Sequence, residues 1–216
     1  MMNKVEKMDK FFVASQWLIR FVWANLIWMF LVILGLGIFG FMPATAALFT
    51  VTRKWSQKDI DIAIWPTAWK AYKKAFVETN LAGLCFAVIL VFLYMDLRIV
   101  FATMNGLASS LLYFFLFFLF AMTILALVNY FSVYAHFIYP LRGYIIQSFL
   151  LAFTSWKTSL LLIAGFGISA YLIAQIPALI LFISGVLPAY WVMKVNLIRF
   201  QKMQAKIAAQ SAQNVA

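Results

Sequence analysis

A single histidine, His136, and six acidic residues are nearly all the acid–base chemistry this sequence offers. General acid–base catalysis needs titratable groups that converge on one site. Here the acids fall in or at the edges of the stretches between apolar runs, and no HExxH, GxSxG or P-loop pattern gathers them. An enzyme is therefore not expected, and neither a cofactor nor a metal is implied. Cys85 stands alone in an apolar run, which excludes a disulfide framework and a CxxC site and marks it as a packing residue. His136 lies in VYAHFIYPLRG, with Arg142 six residues on. It reads as an interfacial histidine bonded to backbone, with contact to a ligand or a proton path as the sharper alternative. Asp96 and Arg98 read as a solvated pair that contributes little.

Amides are more numerous in or near the apolar stretches: Asn25, Asn80, Asn105, Asn129, Gln175 and Asn196. An unpaired amide in hydrocarbon is costly, so the default is a bond between helices, worth about 0.6–2 kcal/mol each. A polar substrate path is the alternative. The eight tryptophans are of a type that stacks on sugar rings. Most of them stand near the ends of apolar runs, where an aromatic belt at the membrane interface explains them better.

The elements that must position these residues are helices in a membrane. Hydrophobic residues make up 66% of the 216 residues and charged ones 11%, against about 45–50% and 25% in a soluble domain. No charge occurs in 21–52, 79–95, 99–141 or 158–193. Within the third of these windows, 107–129 holds fourteen Leu, Ile, Phe or Val, worth roughly −4 to −8 kcal/mol of insertion free energy as an upper estimate. The fourth would be about 54 Å long as one helix, too long for one crossing. Pro177 breaks it into a hairpin, because proline cannot donate to the helix ladder and restricts the residue before it. The expected fold is an all-α polytopic transmembrane bundle of about five spans, at 21–42, 79–96, 107–129, 158–176 and 178–196. Residues 1–198 form one transmembrane domain and 199–216 a cytoplasmic tail. Ala44-Thr45-Ala46 resembles a leader cleavage site, but the apolar run before it is about twice the usual length, so cleavage is not expected.

Residues 65–78 read as an interfacial amphipathic helix: Trp65, Trp69, Tyr72 and Phe76 recur at helical spacing, with Lys70, Lys73 and Lys74 largely opposite. The net charge of +11 fits basic loops facing anionic lipid rather than nucleic acid. With five single passes, 12 of the 17 Lys and Arg share the side of the C-terminus, which places the C-terminus in the cytoplasm and the N-terminus outside. A re-entrant hairpin in the Gly-rich stretch 35–48 is the alternative, and it gathers 16 of the 17 on one side. A weak internal repeat pairs FMPATAAL with FIYPLRGYI, each followed by an amphipathic stretch and a charged approach to the next span, as in parallel-repeat transporters.

The run GLGIFGFMPATAALFTVTRKW, followed by WKAYKKAFVETNLAGL, resembles the hallmark region of the YesL family of small bacterial integral membrane proteins of unknown function. Pro43 to Leu48 through Arg53-Lys54-Trp55 is the most specific part. The resemblance implies a multi-pass protein of the cytoplasmic membrane of Gram-positive bacteria, associated with carbohydrate uptake transporters, polysaccharide-degrading enzymes and two-component regulators. It carries no catalytic residue across. Two functions follow as expectations. One is a non-enzymatic accessory or scaffold protein that contacts a carbohydrate transporter permease or sensor kinase. The other is a small homo-oligomeric transporter or channel for a polar solute. The residues expected to make ligand or partner contacts are Pro43, Thr45, Arg53, Lys54 and Trp55 in the hallmark block, Trp69, Lys73, Lys74 and Asn80 after it, and His136 and Arg142.

Overall fold

A computed structural model describes residues 2–154 and 156–213; positions 214–216 of the expected tail lie outside the described residues. The chain is all-α, with eight helices and no strand among the described residues: α1 (Met2–Leu34), α2 (Ile38–Ser56), α3 (Ile64–Thr103), α4 (Leu107–His136), α5 (Leu141–Thr154), α6 (Trp156–Gln175), α7 (Leu179–Ile183) and α8 (Val186–Gln213). Five stretches are long and apolar enough to cross a membrane: Ser15–Leu34, Ile64–Thr103, Leu107–His136, Lys157–Gln175 and Leu179–Ser211.

The first charge-free window is two helices rather than one span ending near residue 42. α1 stops at Leu34, and a three-residue turn reverses the chain: Leu36 has φ 58° and Gly37 φ 75°, the left-handed values that end a helix. α2 then packs back along α1. At the open end of this hairpin the Trp17 and Phe21 rings lie 5.9 and 5.8 Å from that of Trp55. Arg20 therefore stands at the same end of the helix pair as Arg53 and Lys54. This departs from the single pass that puts the two groups on opposite sides, and matches the hairpin arrangement.

α2 is the centre of the bundle, packed against α1, α3, α4 and α8. Eleven of its residues are buried, from Gly40 to Trp55. A helix screened from lipid by its neighbours gains nothing from high hydropathy, which is why α2 carries Thr and Pro at its core and is not among the five apolar stretches.

α3 runs unbroken for 40 residues, about 60 Å. The separate interfacial helix at 65–78 and span at 79–96 are one element, because between Pro66 and Gly83 nothing interrupts a helix ladder. The first part packs on α1 and α2 through Ala68, Tyr72 and Ala75. Beyond it, α3 pairs with α4, with Phe86 and Tyr130 in edge contact at 5.9 Å. Cys85 is exposed on this helix rather than packed. α5 folds back along α4, with Phe118 against Phe153 and Tyr130 against Tyr144. Pro177 stands in the break after α6, and α8 returns along α6, where Trp191 donates from Nε1 to Leu161 O at 2.9 Å.

Candidate functional site

The hallmark block occupies α2, and its Pro43 explains a residue far from it. Pro43 lies inside the helix and has no N–H to give to the carbonyl four residues earlier, Phe39. Asn80 of α3 supplies the missing donor: its Nδ2 donates to Phe39 O at 2.9 Å and to Phe76 O at 2.7 Å. Two turns of α2 and α3 are thereby stitched together. In detergent, Asn80→Leu should lower stability by about 1–2 kcal/mol in the natural chain. The loss should be clearly smaller in a Pro43→Ala background, where the alanine restores a backbone N–H that serves Phe39 O instead; equal losses in a double-mutant cycle of unfolding free energies would break the assignment. Thr45, half-buried two residues after Pro43, donates to Phe41 O at 2.7 Å and accepts from Trp28 Nε1 at 3.2 Å, tying α2 to α1.

At the other end of α2, Arg53 donates from one guanidinium nitrogen to Ala135 O, one of the last four carbonyls of α4, which have no partner within their own helix. Arg199 of α8 repeats the device on α5, donating to Leu151 O at 2.9 Å. Both arginines place positive charge at a helix C-terminus, where the dipole favours it.

α4 presents different faces to its neighbours. Phe131 packs on Phe49 of α2 at 5.5 Å. On another face, Asn196 of α8 donates from Nδ2 to Asn129 Oδ1 at 2.9 Å and to Ser132 Oγ at 3.0 Å. His136 follows on that face, its ring stacked at 5.0 Å on Phe200 and beside the Arg53 charge. Among the described residues, His136 Nδ1 finds no hydrogen-bond partner, nor do Arg53 Nε, Trp55 Nε1, Tyr130 OH and Asn196 Oδ1. The expected backbone bond of His136 is therefore not found at Nδ1; aromatic rings hold it instead. Trp55 is 2% exposed, a core residue and not part of an interfacial belt.

The first turns of α3 carry a ladder of rings. Trp65 stacks on Trp69 and Trp69 on Tyr72, each pair 5.9 Å apart and within 10° of parallel. Tyr72 meets Phe76 edge-on. Phe30 of α1 supports Trp65 at 5.7 Å, and Lys73 Nζ stands 5.3 Å over Trp69. Lys70, Lys73 and Lys74 are exposed.

Of the expected contact residues, Arg53, Trp55 and His136 gather around the C-terminal half of α2, Thr45, Pro43 and Asn80 join its N-terminal half to α1 and α3, and Trp69 is half-buried in the ring ladder with the exposed Lys73 and Lys74 beside it. Lys54 is half-buried at the end of α2, and Arg142 is exposed on α5. Sequence reasoning passed over Glu78, which stands in electrostatic reach of Tyr130, Tyr134 and Tyr144. It also passed over Ser132, Trp28 and Arg199, whose single polar groups carry no spacing signal. Burial, opposed by a backbone hydrogen bond, pushes the Tyr144 phenol above its ordinary value, so it remains a neutral donor to Phe137 O at 3.1 Å.

Residues 21–97 match the family described as "Protein of unknown function, DUF624". The chain is 35% identical to the uncharacterized protein YteU of Bacillus subtilis (strain 168), over 83% of this chain and 80% of that protein. It is 30% identical to the uncharacterized proteins YesV and YesL of the same organism, over 92% and 88% of this chain and 95% and 89% of theirs. No solved structure matches the chain.

Proposed function

Because the chain belongs to the DUF624 family together with YesL, and is a multi-pass helical membrane protein of unknown function, we propose that it is a non-enzymatic accessory protein of the bacterial cytoplasmic membrane that docks onto a permease or sensor kinase of carbohydrate uptake. The observation that carries the docking role is the ring ladder of α3. Trp65 is 40% exposed, yet its ring is held by Phe30 and Trp69. Rigid aromatic groups flanked by cations lose little conformational entropy on binding, and their kind is enriched at the centres of protein interfaces. Lys70, Lys73 and Lys74 add a positive rim suited to an acidic partner surface. The buried amides and arginines support the same reading, since they are spent on bonds between helices that stiffen the platform under the ladder. The carbohydrate link rests on the family's association alone.

The full chain, coexpressed with a carbohydrate-uptake permease and solubilised in mild detergent, should copurify with it. Changing Lys70, Lys73 and Lys74 to glutamate should cut the recovered permease about tenfold, the effect of one lost 1.4 kcal/mol of attraction. Equal recovery with the triple variant would remove the ladder from the role, and a chain that stays free of any partner would count against the accessory function itself.

A further inference from the structure

A groove of about 460 Å³ opens between the end of α5, the start of α6 and the second half of α8. We propose that it binds a phosphate-bearing anion, and that the phosphate is the headgroup of a membrane phospholipid. Arg199, Lys202 and Lys206 line it from α8, and Thr154 and Thr158 from the opposite side. Positions 199, 202 and 206 follow i, i+3, i+7 spacing and so share one helix face. Among the described residues, no acidic side chain lines the groove. Three like charges on one face repel each other, and an anion between them relieves that repulsion.

Arg199 makes this more than a solvated basic tail. Its side chain is half-buried, and one nitrogen is fixed on Leu151 O at 2.9 Å. A guanidinium has five N–H donors in a planar fork, so holding one of them orients the rest toward the groove without further ordering. The threonine hydroxyls add neutral donors suited to phosphate oxygens. The rest of the wall is apolar: Leu161, Val195, Ile198 and Met203. Leu161 and Ile198 are each half exposed on the outer surface of the bundle. A free phosphate has no use for such a wall, whereas a phospholipid lays its acyl chains along it while its headgroup meets the cations. Basic pockets between membrane helices recognise anionic headgroups in this way.

Native mass spectrometry of the full chain in mild detergent, titrated with phosphatidylglycerol or phosphatidylcholine, tests the site. Phosphatidylglycerol should bind at least tenfold more tightly than phosphatidylcholine. Combining Lys202→Gln, Lys206→Gln and Thr158→Val should weaken phosphatidylglycerol binding about tenfold and leave phosphatidylcholine unchanged. The pair Lys70→Gln and Lys73→Gln removes as much charge from α3 and should change neither, which separates a site from general attraction to anionic lipid. All the replaced lysines are exposed, and matching thermal unfolding of the variants confirms that they fold. Equal affinity for the two lipids, or equal losses in the α8 and α3 variants, overturns the proposal. Displacement of phosphatidylglycerol by inorganic phosphate at the same concentration overturns the lipid assignment and leaves a free-anion site.

Discussion

Asn25→Leu should destabilise the protein by about 2–4 kcal/mol, the cost of leaving several backbone groups without partners, although leucine is similar in size and suits a membrane helix. Asn25 is fully buried on α1, and one amide closes both sides of the α7–α8 junction. Its Nδ2 donates to Leu181 O at 2.9 Å and Ile180 O at 3.3 Å, near the end of α7. Its Oδ1 accepts from Gly185 N at 2.8 Å and Val186 N at 3.1 Å, where α8 begins. These are the carbonyls and amides that helix ends leave unsatisfied, and a leucine side chain offers none of them a partner. Interhelical bonds in membranes average only about 0.6 kcal/mol because the unfolded chain finds other partners; the larger figure expected here comes from four backbone groups depending on one side chain. Thermal unfolding in detergent should show the loss, and hydrogen exchange should localise it to 179–190. The comparison is Asn105→Leu at the α3–α4 turn, where the residue is exposed and no change is expected. Equal behaviour of the two variants would mean that the Asn25 bonds contribute nothing net.

The amide pattern was legible in the sequence in this limited sense: Asn25, Asn80, Asn129 and Asn196 are in apolar helices and do bond across them, whereas Asn105 and Gln175 are exposed. The charge-free windows located the apolar stretches, and Pro177 located the last hairpin, because both signals rest on covalent or solvation terms that context does not change. The α1–α2 reversal is made by Leu36 and Gly37 within an unbroken apolar run, where no charge marks the turn, so only the glycine content and the count of basic residues offered a hairpin in 35–48, as the alternative to a single pass. Two features were beyond that reasoning. Continuity of α3 was hidden because a change of charge pattern at Glu78 reads as a boundary although nothing there stops a helix. The groove on α8 joins residues nearly fifty positions apart, and only packing brings Thr154 and Thr158 to Arg199 and Lys202. The two readings of Arg53 show the same limit: the hallmark block singles it out, but its role as a cap on α4 follows from where α4 ends.

Gly40→Ala is the second substitution expected to have a large effect, and its sign opposes the helix propensity. In an exposed helix interior, alanine is favoured over glycine by about 1 kcal/mol. At Gly40 a Cβ would sit 2.3 Å from Val32 O and 2.9 Å from Leu31 O, backbone atoms of α1 that cannot rotate away. Gly35 closes the same contact from the other side: a Cβ there would lie 2.3 Å from Gly40 Cα. The two helices must therefore separate at the turn, which also displaces Phe39 O from Asn80 and weakens the stitch between α2 and α3. A cost of about 2–3 kcal/mol is expected, the upper part of the range for overpacking a close contact. Gly167→Ala on α6 provides the opposite case, since a Cβ there meets nothing within 4 Å among the described residues and the variant should be as stable as the natural chain or more so. Unfolding curves that move together for Gly40→Ala and Gly167→Ala would show that α1 and α2 do not meet backbone to backbone. A fall confined to Gly40→Ala would fix the hairpin on which the shared position of Arg20, Arg53 and Lys54 depends.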